Sequence, residues 1–131
     1  MKLVLDTNAY CLCETGHEGA LEKLERANSL MIPVIVYGEL YYGFKYGTHL
    51  QENLSRLERF IKDFDVRIIV VDSGVAKKFG DIYSSLRKRG RPIPTNDIWI
   101  AACCLSVEGT LLTADGHFKE VDRLEVEFIR E

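Results

Sequence analysis

Residues 95–115 read TNDIWIAACCLSVEGTLLTAD, and this stretch decides the fold. Its first part predicts a helix, with Thr95 or Asn96 as N-cap and Gly109 as the stop. The run TLLTA (110–114) follows at once and predicts a strand, which delivers the chain to Asp115. A helix feeding a short apolar strand is the repeating unit of a parallel sheet covered on both faces. Asp97 heads the eight residues Ile98–Leu105, none of them strongly polar. The helix macrodipole favours an acid in the first turn by roughly 0.3–1 kcal/mol, so a helix start explains Asp97 on its own. A metal site is the other explanation.

The rest of the chain repeats the alternation. KLVL (2–5) predicts a strand ended by Asp-Thr-Asn, which suits a turn or an N-cap. HEGALEKLERA (17–27) has Ala20, Leu21, Leu24 and Ala27 at helical spacing, and SLMIPV (29–34) predicts a second strand or its exit. IVYGELYYGFKYG (35–47) is apolar and aromatic and is read as a buried helix. HLQENLSRLERFIKDF (49–64) is amphipathic, with Leu50, Leu54, Leu57 and Ile61 on one face. VRIIVV (66–71) predicts a β-branched strand. Ser73 opens a helix to about Arg89, stopped by Gly90 and Pro92, and LEVEFI (124–129) predicts a last, alternating strand. The expectation is one α/β domain over residues 1–131. Its central, mostly parallel sheet has about four to five strands, with helices on both faces. In such sheets ligands sit beyond the carboxyl ends of the strands where the strand order reverses. Asp6 and Asp115 both follow strands and so share that rim.

The chain is 47% apolar and 28% charged, enough for an ordinary core. Seventeen basic and twenty acidic residues give a net charge of −3, so attraction to nucleic acid requires a local basic patch. Three apolar residues between Lys2 and Asp6 are too few for a signal peptide, and the longest apolar run, Leu30–Gly38, contains Pro33 and cannot span a bilayer. A soluble cytoplasmic protein is expected. Cys11, Cys13, Cys103 and Cys104 lack zinc-site spacing and are expected as small core hydrophobes. His17, His49 and His117 share no ligand spacing and are expected at the surface or in packing.

Four acids stand out by their surroundings. Glu39 is the only charged residue between Arg26 and Lys45. A carboxylate buried on so apolar a helix costs several kcal/mol unless it is paired or binds a cation; the alternative is that it looks out to solvent through a gap. Asp6, Asp97 and Asp115 each have a turn or capping reading. Together with Glu39, however, each stands at the end of an apolar segment or within one. Clustered acids without a cation repel one another and raise their own pKa values. An all-oxygen donor set suits Mg²⁺ or Mn²⁺, which polarise phosphoryl oxygens and activate water.

LDTN (5–8), YGELYYG (37–43), RPIPTNDIWIAA (91–102) and LLTADGHF (111–118), in this order, resemble the PIN-domain nucleases, in particular VapC-type toxins of prokaryotic toxin–antitoxin pairs. The resemblance covers essentially the whole chain. It implies a PIN-like domain in which Asp6, Glu39, Asp97 and Asp115 hold Mg²⁺ or Mn²⁺ and cut single-stranded RNA. It also implies supporting roles for Asn8 and Thr113, an antitoxin protein as partner, and a homodimer. Ala114 departs from the Arg that many relatives carry, and no further acid directly follows Asp115.

RKRGR (87–91) places Arg87, Lys88, Arg89 and Arg91 ahead of Asp97. They read either as a solvated helix end or as an edge that tracks RNA phosphates. Tyr37, Tyr41, Tyr42, Phe44 and Tyr46 are expected mainly as core, with some left for a partner groove. Other Mg²⁺-dependent phosphoryl-transfer domains fit less well. A haloacid-dehalogenase-like phosphatase wants Asp-x-Asp where this chain has Asp6-Thr7-Asn8, and a response-regulator receiver wants an adjacent acid pair there. A catalytically silent binding module acting through its antitoxin is the alternative from another class.

Overall fold

The computed structural model describes residues 1–130. The elements run β1 (Lys2–Leu5), α1 (Thr7–Glu14), α2 (Glu18–Glu25), β2 (Ser29–Pro33), α3 (Val34–Tyr46), α4 (Leu50–Asp63) and β3 (Arg67–Ile69). Then follow α5 (Ser73–Lys88), α6 (Thr95–Ser106), β4 (Thr110–Thr113), a 3₁₀ turn (Gly116–Glu120) and β5 (Glu125–Phe128). The strands form one five-stranded sheet in the order β3-β2-β1-β4-β5. Every neighbouring pair is parallel.

Burial explains why the central strands show no alternation. Leu3, Val4 and Leu5 are all 0% exposed, although consecutive strand residues point to opposite faces. Both faces of β1 are therefore covered, as they are for Leu30–Ile32 of β2 and Leu111–Thr113 of β4. Edge strand β5 differs: it carries Glu125 and Glu127, and Glu127 accepts from Lys23 of α2 at 2.8 Å. Charge on an edge strand opposes further strand addition.

From β1 the chain steps outward through β2 and β3, then returns to the other side of β1 for β4 and β5. Right-handed crossovers then put the helices of the two halves on opposite faces. The order reverses between β1 and β4, and a crevice opens at their carboxyl ends. The loops that leave this edge carry Asp6 and Asp115.

Several local expectations change. The Asp-Thr-Asn triplet is both a turn and a helix start: Asp6 is the N-cap of α1, which buries Ala9, Tyr10 and Cys13. The sequence hides this helix because the same side chains serve turns and caps. α3 is not a buried helix. It buries Val36 and Leu40, while Tyr41, Tyr42 and Tyr46 are exposed. β3 ends at Ile69, opposite Pro33, where β2 itself gives way to α3. Val70 and Val71 beyond it are exposed. Cys11 is exposed, whereas Cys13, Cys103 and Cys104 are buried free thiols. Burial pushes the Cys104 thiol up to about 12, which makes it unreactive.

Both ends of α6 differ from the sequence reading. Pro94, not Thr95 or Asn96, occupies the N-cap position, and no side chain caps it. Asp97 therefore lies in the first turn with its carboxylate left for other work. At the far end Glu108 takes the left-handed conformation, φ 53°. Gly109 is needed for a different reason: a Cβ there would lie 2.8 Å from Val4 Cγ2 and 3.3 Å from the Lys2 carbonyl oxygen. Gly109→Ala is accordingly expected to destabilise the protein by roughly 1–3 kcal/mol through overpacking against β1. Urea denaturation measures this, and an unchanged midpoint would show that Val4 yields freely.

Candidate active site

Asp6 leaves β1 and turns directly into α1, so its carboxylate is held at a helix start. Oδ1 accepts from the Ala9 backbone N–H at 2.8 Å. Oδ2 accepts from the Thr113 hydroxyl, which is itself fully buried at the end of β4. Thr113 Oγ1 in turn accepts from the Asp115 N–H at 2.9 Å. This chain of hydrogen bonds ties the ends of β1 and β4 across the switch point. Asp115 Oδ1 then accepts from the His117 N–H at 2.8 Å and starts the 3₁₀ turn. Thr113 thus has a partner at each acid, and Asn8 stands exposed in the first turn of α1.

Glu39 reaches the same rim from α3 and is half-buried. Its Oε1 accepts from the Thr7 hydroxyl at 2.6 Å and its Oε2 from the Asn96 amide at 3.3 Å. Neither Thr7 nor Asn96 is marked by the sequence as a partner of Glu39. Each neighbours an acid, Asp6 and Asp97, and adjacency is the one signal that could have found them.

Charge from neighbouring acids reaches Asp6 and Asp97. Burial is the main cause that raises the Asp6 carboxyl to about 6, and the charges of Asp97 and Asp115 add to it. The hydrogen bonds from Thr113 and Ala9 oppose that rise. Asp97 is also raised, first by burial and then by Asp115, with a further contribution from Glu39. His117 opposes it. The protein has gathered carboxylates that disfavour each other's charge, an arrangement that a cation would relieve.

Residues 3–124 match the PIN domain family. The chain belongs to that family. It is 29% identical over 130 residues to "Ribonuclease VapC2" of Rickettsia felis, covering 95% of this chain and 92% of the relative. It is 30% identical over 128 residues to "Ribonuclease VapC2" of Haemophilus influenzae, covering 95% and 92%. Among solved structures it is similar to Rickettsia felis VapBC2 bound to a DNA fragment from its promoter, with a TM-score of 0.87 and 27% identity over 98% of each chain.

In this PIN domain a second kind of ligand atom, an imidazole nitrogen, stands beside the acids. His117 Nδ1 lies 3.4 Å from Asp97 Oδ2 and 3.2 Å from Asp115 Oδ1. One donor atom from each of the three residues falls within 4.8 Å of the others, a spacing fit for one divalent ion. The sequence places His117 at the surface, and it is exposed, yet it also borders the acid cluster. Spacing alone does not reveal this, because Asp97 and His117 are brought together by the fold.

The basic stretch divides. Arg89 donates to the Glu120 backbone carbonyl and lies 3.9 Å from the Glu120 carboxylate, with Arg91 at 4.0 Å from that carboxylate. Arg87 and Lys88 are exposed on the last turn of α5. Arg91, Pro92, Ile93, Gly116, His117 and Glu120 line one shallow cleft, which brings this basic loop beside His117. Arg91 thus shares a cleft with His117, and the bond from Arg89 to the Glu120 carbonyl gives that residue a partly structural role.

Proposed function

We propose that this PIN-domain chain is the ribonuclease toxin of a toxin–antitoxin pair. In this reading it cuts RNA at a divalent-cation site formed by Asp6, Glu39, Asp97 and Asp115. The convergence of these four acids at the β1–β4 switch point carries the reading. The ribonuclease names of its relatives and the toxin–antitoxin complex to which it is similar support it. The donor set, mainly carboxylate oxygen, fits Mg²⁺ or Mn²⁺. Such an ion polarises a phosphoryl oxygen and lowers the pKa of a water molecule for attack.

The chain's own residues do the positioning. Ala9 and Thr113 fix both oxygens of Asp6, while Thr7 and Asn96 fix those of Glu39. Asp97 stands in the first turn of α6, whose apolar body Ile98–Cys104 is buried apart from Trp99 and anchors it. Arg91 and the exposed Arg87 and Lys88 would hold phosphates on the approach to the acids. Asn8 is assigned a supporting place beside Asp6. Cleavage assays on varied RNAs, with Mg²⁺ or Mn²⁺ and with chelator, test the function. The products expected from water attack are 5′-phosphate and 3′-hydroxyl ends. No cleavage of any RNA with either ion would favour a silent module that works through its partner.

The expected effect of the basic residues is separable from chemistry. Replacing Arg87, Lys88 and Arg91 with Gln should weaken RNA binding in chelator. It should also flatten the salt dependence by about 0.7 in log–log slope for each phosphate no longer neutralised. Fluorescence anisotropy at several salt concentrations reads both; an unchanged slope removes the assignment.

For partners, the exposed rings of Tyr41, Tyr42 and Tyr46 on α3 form an aromatic surface of the kind proteins cover. We assign partner contacts, with an antitoxin and in a homodimer, to surfaces of this type. Among the described residues no helix is long and apolar enough to cross a membrane, and a cytoplasmic site of action fits an RNA-cutting role.

A further inference from the structure

We infer that His117 is a nitrogen ligand of the cation site and biases it toward a transition-metal ion such as Mn²⁺ over Mg²⁺. The inference rests on the four-acid cation site proposed above and adds the metal's identity. Its first support is geometric. Six-coordinate ions of this size take ligands at about 2.1 Å, so neighbouring ligand atoms lie about 3.0 Å apart. His117 Nδ1 stands 3.4 Å from Asp97 Oδ2 and 3.2 Å from Asp115 Oδ1, the separations expected of adjacent corners before an ion draws them in. The second support is that the backbone carrying the ring is held in place by the His117 main-chain N–H. The His117 N–H bonds to Asp115 Oδ1 at 2.8 Å, which anchors the residue at the first turn of the 3₁₀ segment. The buried Phe118 beside it fixes that turn to the core.

The third support is chemical. Mg²⁺ binds oxygen and gains little from imidazole, whereas first-row transition ions bind imidazole well. A site of carboxylates alone leaves Mg²⁺ and Mn²⁺ close competitors. Exchanging one oxygen for an imidazole nitrogen shifts the balance toward Mn²⁺. The exposure of His117 also gives an entering ion an open side to approach from.

The test is direct Mn²⁺ binding to the RNA-free protein, followed by the electron paramagnetic resonance of free Mn²⁺, with Mg²⁺ as competitor. Spin-echo measurements on bound Mn²⁺ report a coupled imidazole nitrogen. Wild type should show the nitrogen signal and should need a large Mg²⁺ excess for displacement. His117→Ala should lose that signal, bind Mn²⁺ at least about tenfold more weakly, and leave Mg²⁺ affinity nearly unchanged. His117→Gln, which restores a polar oxygen donor, should recover affinity without recovering selectivity. A wild-type site with no nitrogen signal, or His117→Ala with the same Mn²⁺ to Mg²⁺ ratio, overturns the inference. Asp97→Asn separates the two proposals. If it binds Mn²⁺ as wild type does, the carboxylate site itself is wrong; if it loses all binding while His117→Ala keeps normal selectivity, only the role of His117 fails.

Discussion

Asp97→Asn should slow RNA cleavage by roughly a hundred- to a thousandfold and, in metal-free protein, raise the melting temperature. The two effects have one origin. Asp97 is raised by burial and by Asp115 and Glu39, so its ionised form is unwelcome unless a cation is bound. Asparagine keeps the shape and removes the charge, which relieves the repulsion. A small rise in stability of this kind appears as a few degrees in a domain of this size. Charge stabilisation by a bound ion is worth several kcal/mol in the transition state, and each 1.36 kcal/mol is a factor of ten in rate. Added Mg²⁺ or Mn²⁺ should stabilise wild type by mass action and Asp97→Asn much less. A helix-start acid makes the opposite forecast: a small loss of stability on substitution and no effect on cleavage. Pro94 already occupies the cap position of α6, and Asp97 faces His117 rather than a backbone N–H. Normal cleavage by Asp97→Asn would remove it from the catalytic set.

What the sequence disclosed follows from what each signal depends on. The short apolar centres of the segments 2–5, 29–33 and 110–113 show no alternation, which fits strands buried on both faces. The acids were legible because a charge inside an apolar segment calls for a reason. Glu39 showed this most sharply, and the structure places it half-buried with a donor at each oxygen. The aromatic crowding of α3 misled, since composition does not say which side of a helix meets the core. Val36 and Leu40, four apart, suffice to bury it, and the tyrosines are left outside. Gly109 does close the end of α6, its N–H donating to the Cys104 carbonyl at 3.0 Å, but the close approach to Val4 that demands glycine there is a tertiary fact. His117 is exposed, as its sequence suggests, but its approach to Asp97 is invisible there because the two are distant in sequence. Contacts made across the switch point are set by strand order, and strand order is not written in any single segment.

The second large effect concerns pH. Metal-free protein should lose stability as pH rises from about 4 to about 6, the reverse of the usual carboxylate behaviour. Asp6 has a carboxyl raised from 3.8 to about 6 in the folded state. Between those values the folded chain holds a proton that the unfolded chain has released. Its contribution is therefore fully present below about pH 4 and is lost as pH passes through 6. A shift of this size corresponds to about 3 kcal/mol, on the order of a third of the stability of a small domain. Asp97 is raised too and acts in the same direction. A divalent ion must reverse the slope, because it binds the ionised carboxylates and competes with the proton. Urea midpoints across this pH range, in chelator and in saturating Mn²⁺, should therefore diverge, falling with pH in the first and rising in the second. Asp6→Asn should flatten the metal-free curve while keeping an oxygen for the Ala9 N–H. Parallel curves with and without the ion would mean that burial of Asp6 serves the hydrogen bonds from Ala9 and Thr113 alone. Diverging curves would mean that the fold holds its acids at a thermodynamic disadvantage which cation binding converts into affinity. In that case the apolar "IWIAACC" behind Asp97, buried apart from Trp99, and the fully buried Thr113 beside Asp6 are what keep the disadvantage from relaxing.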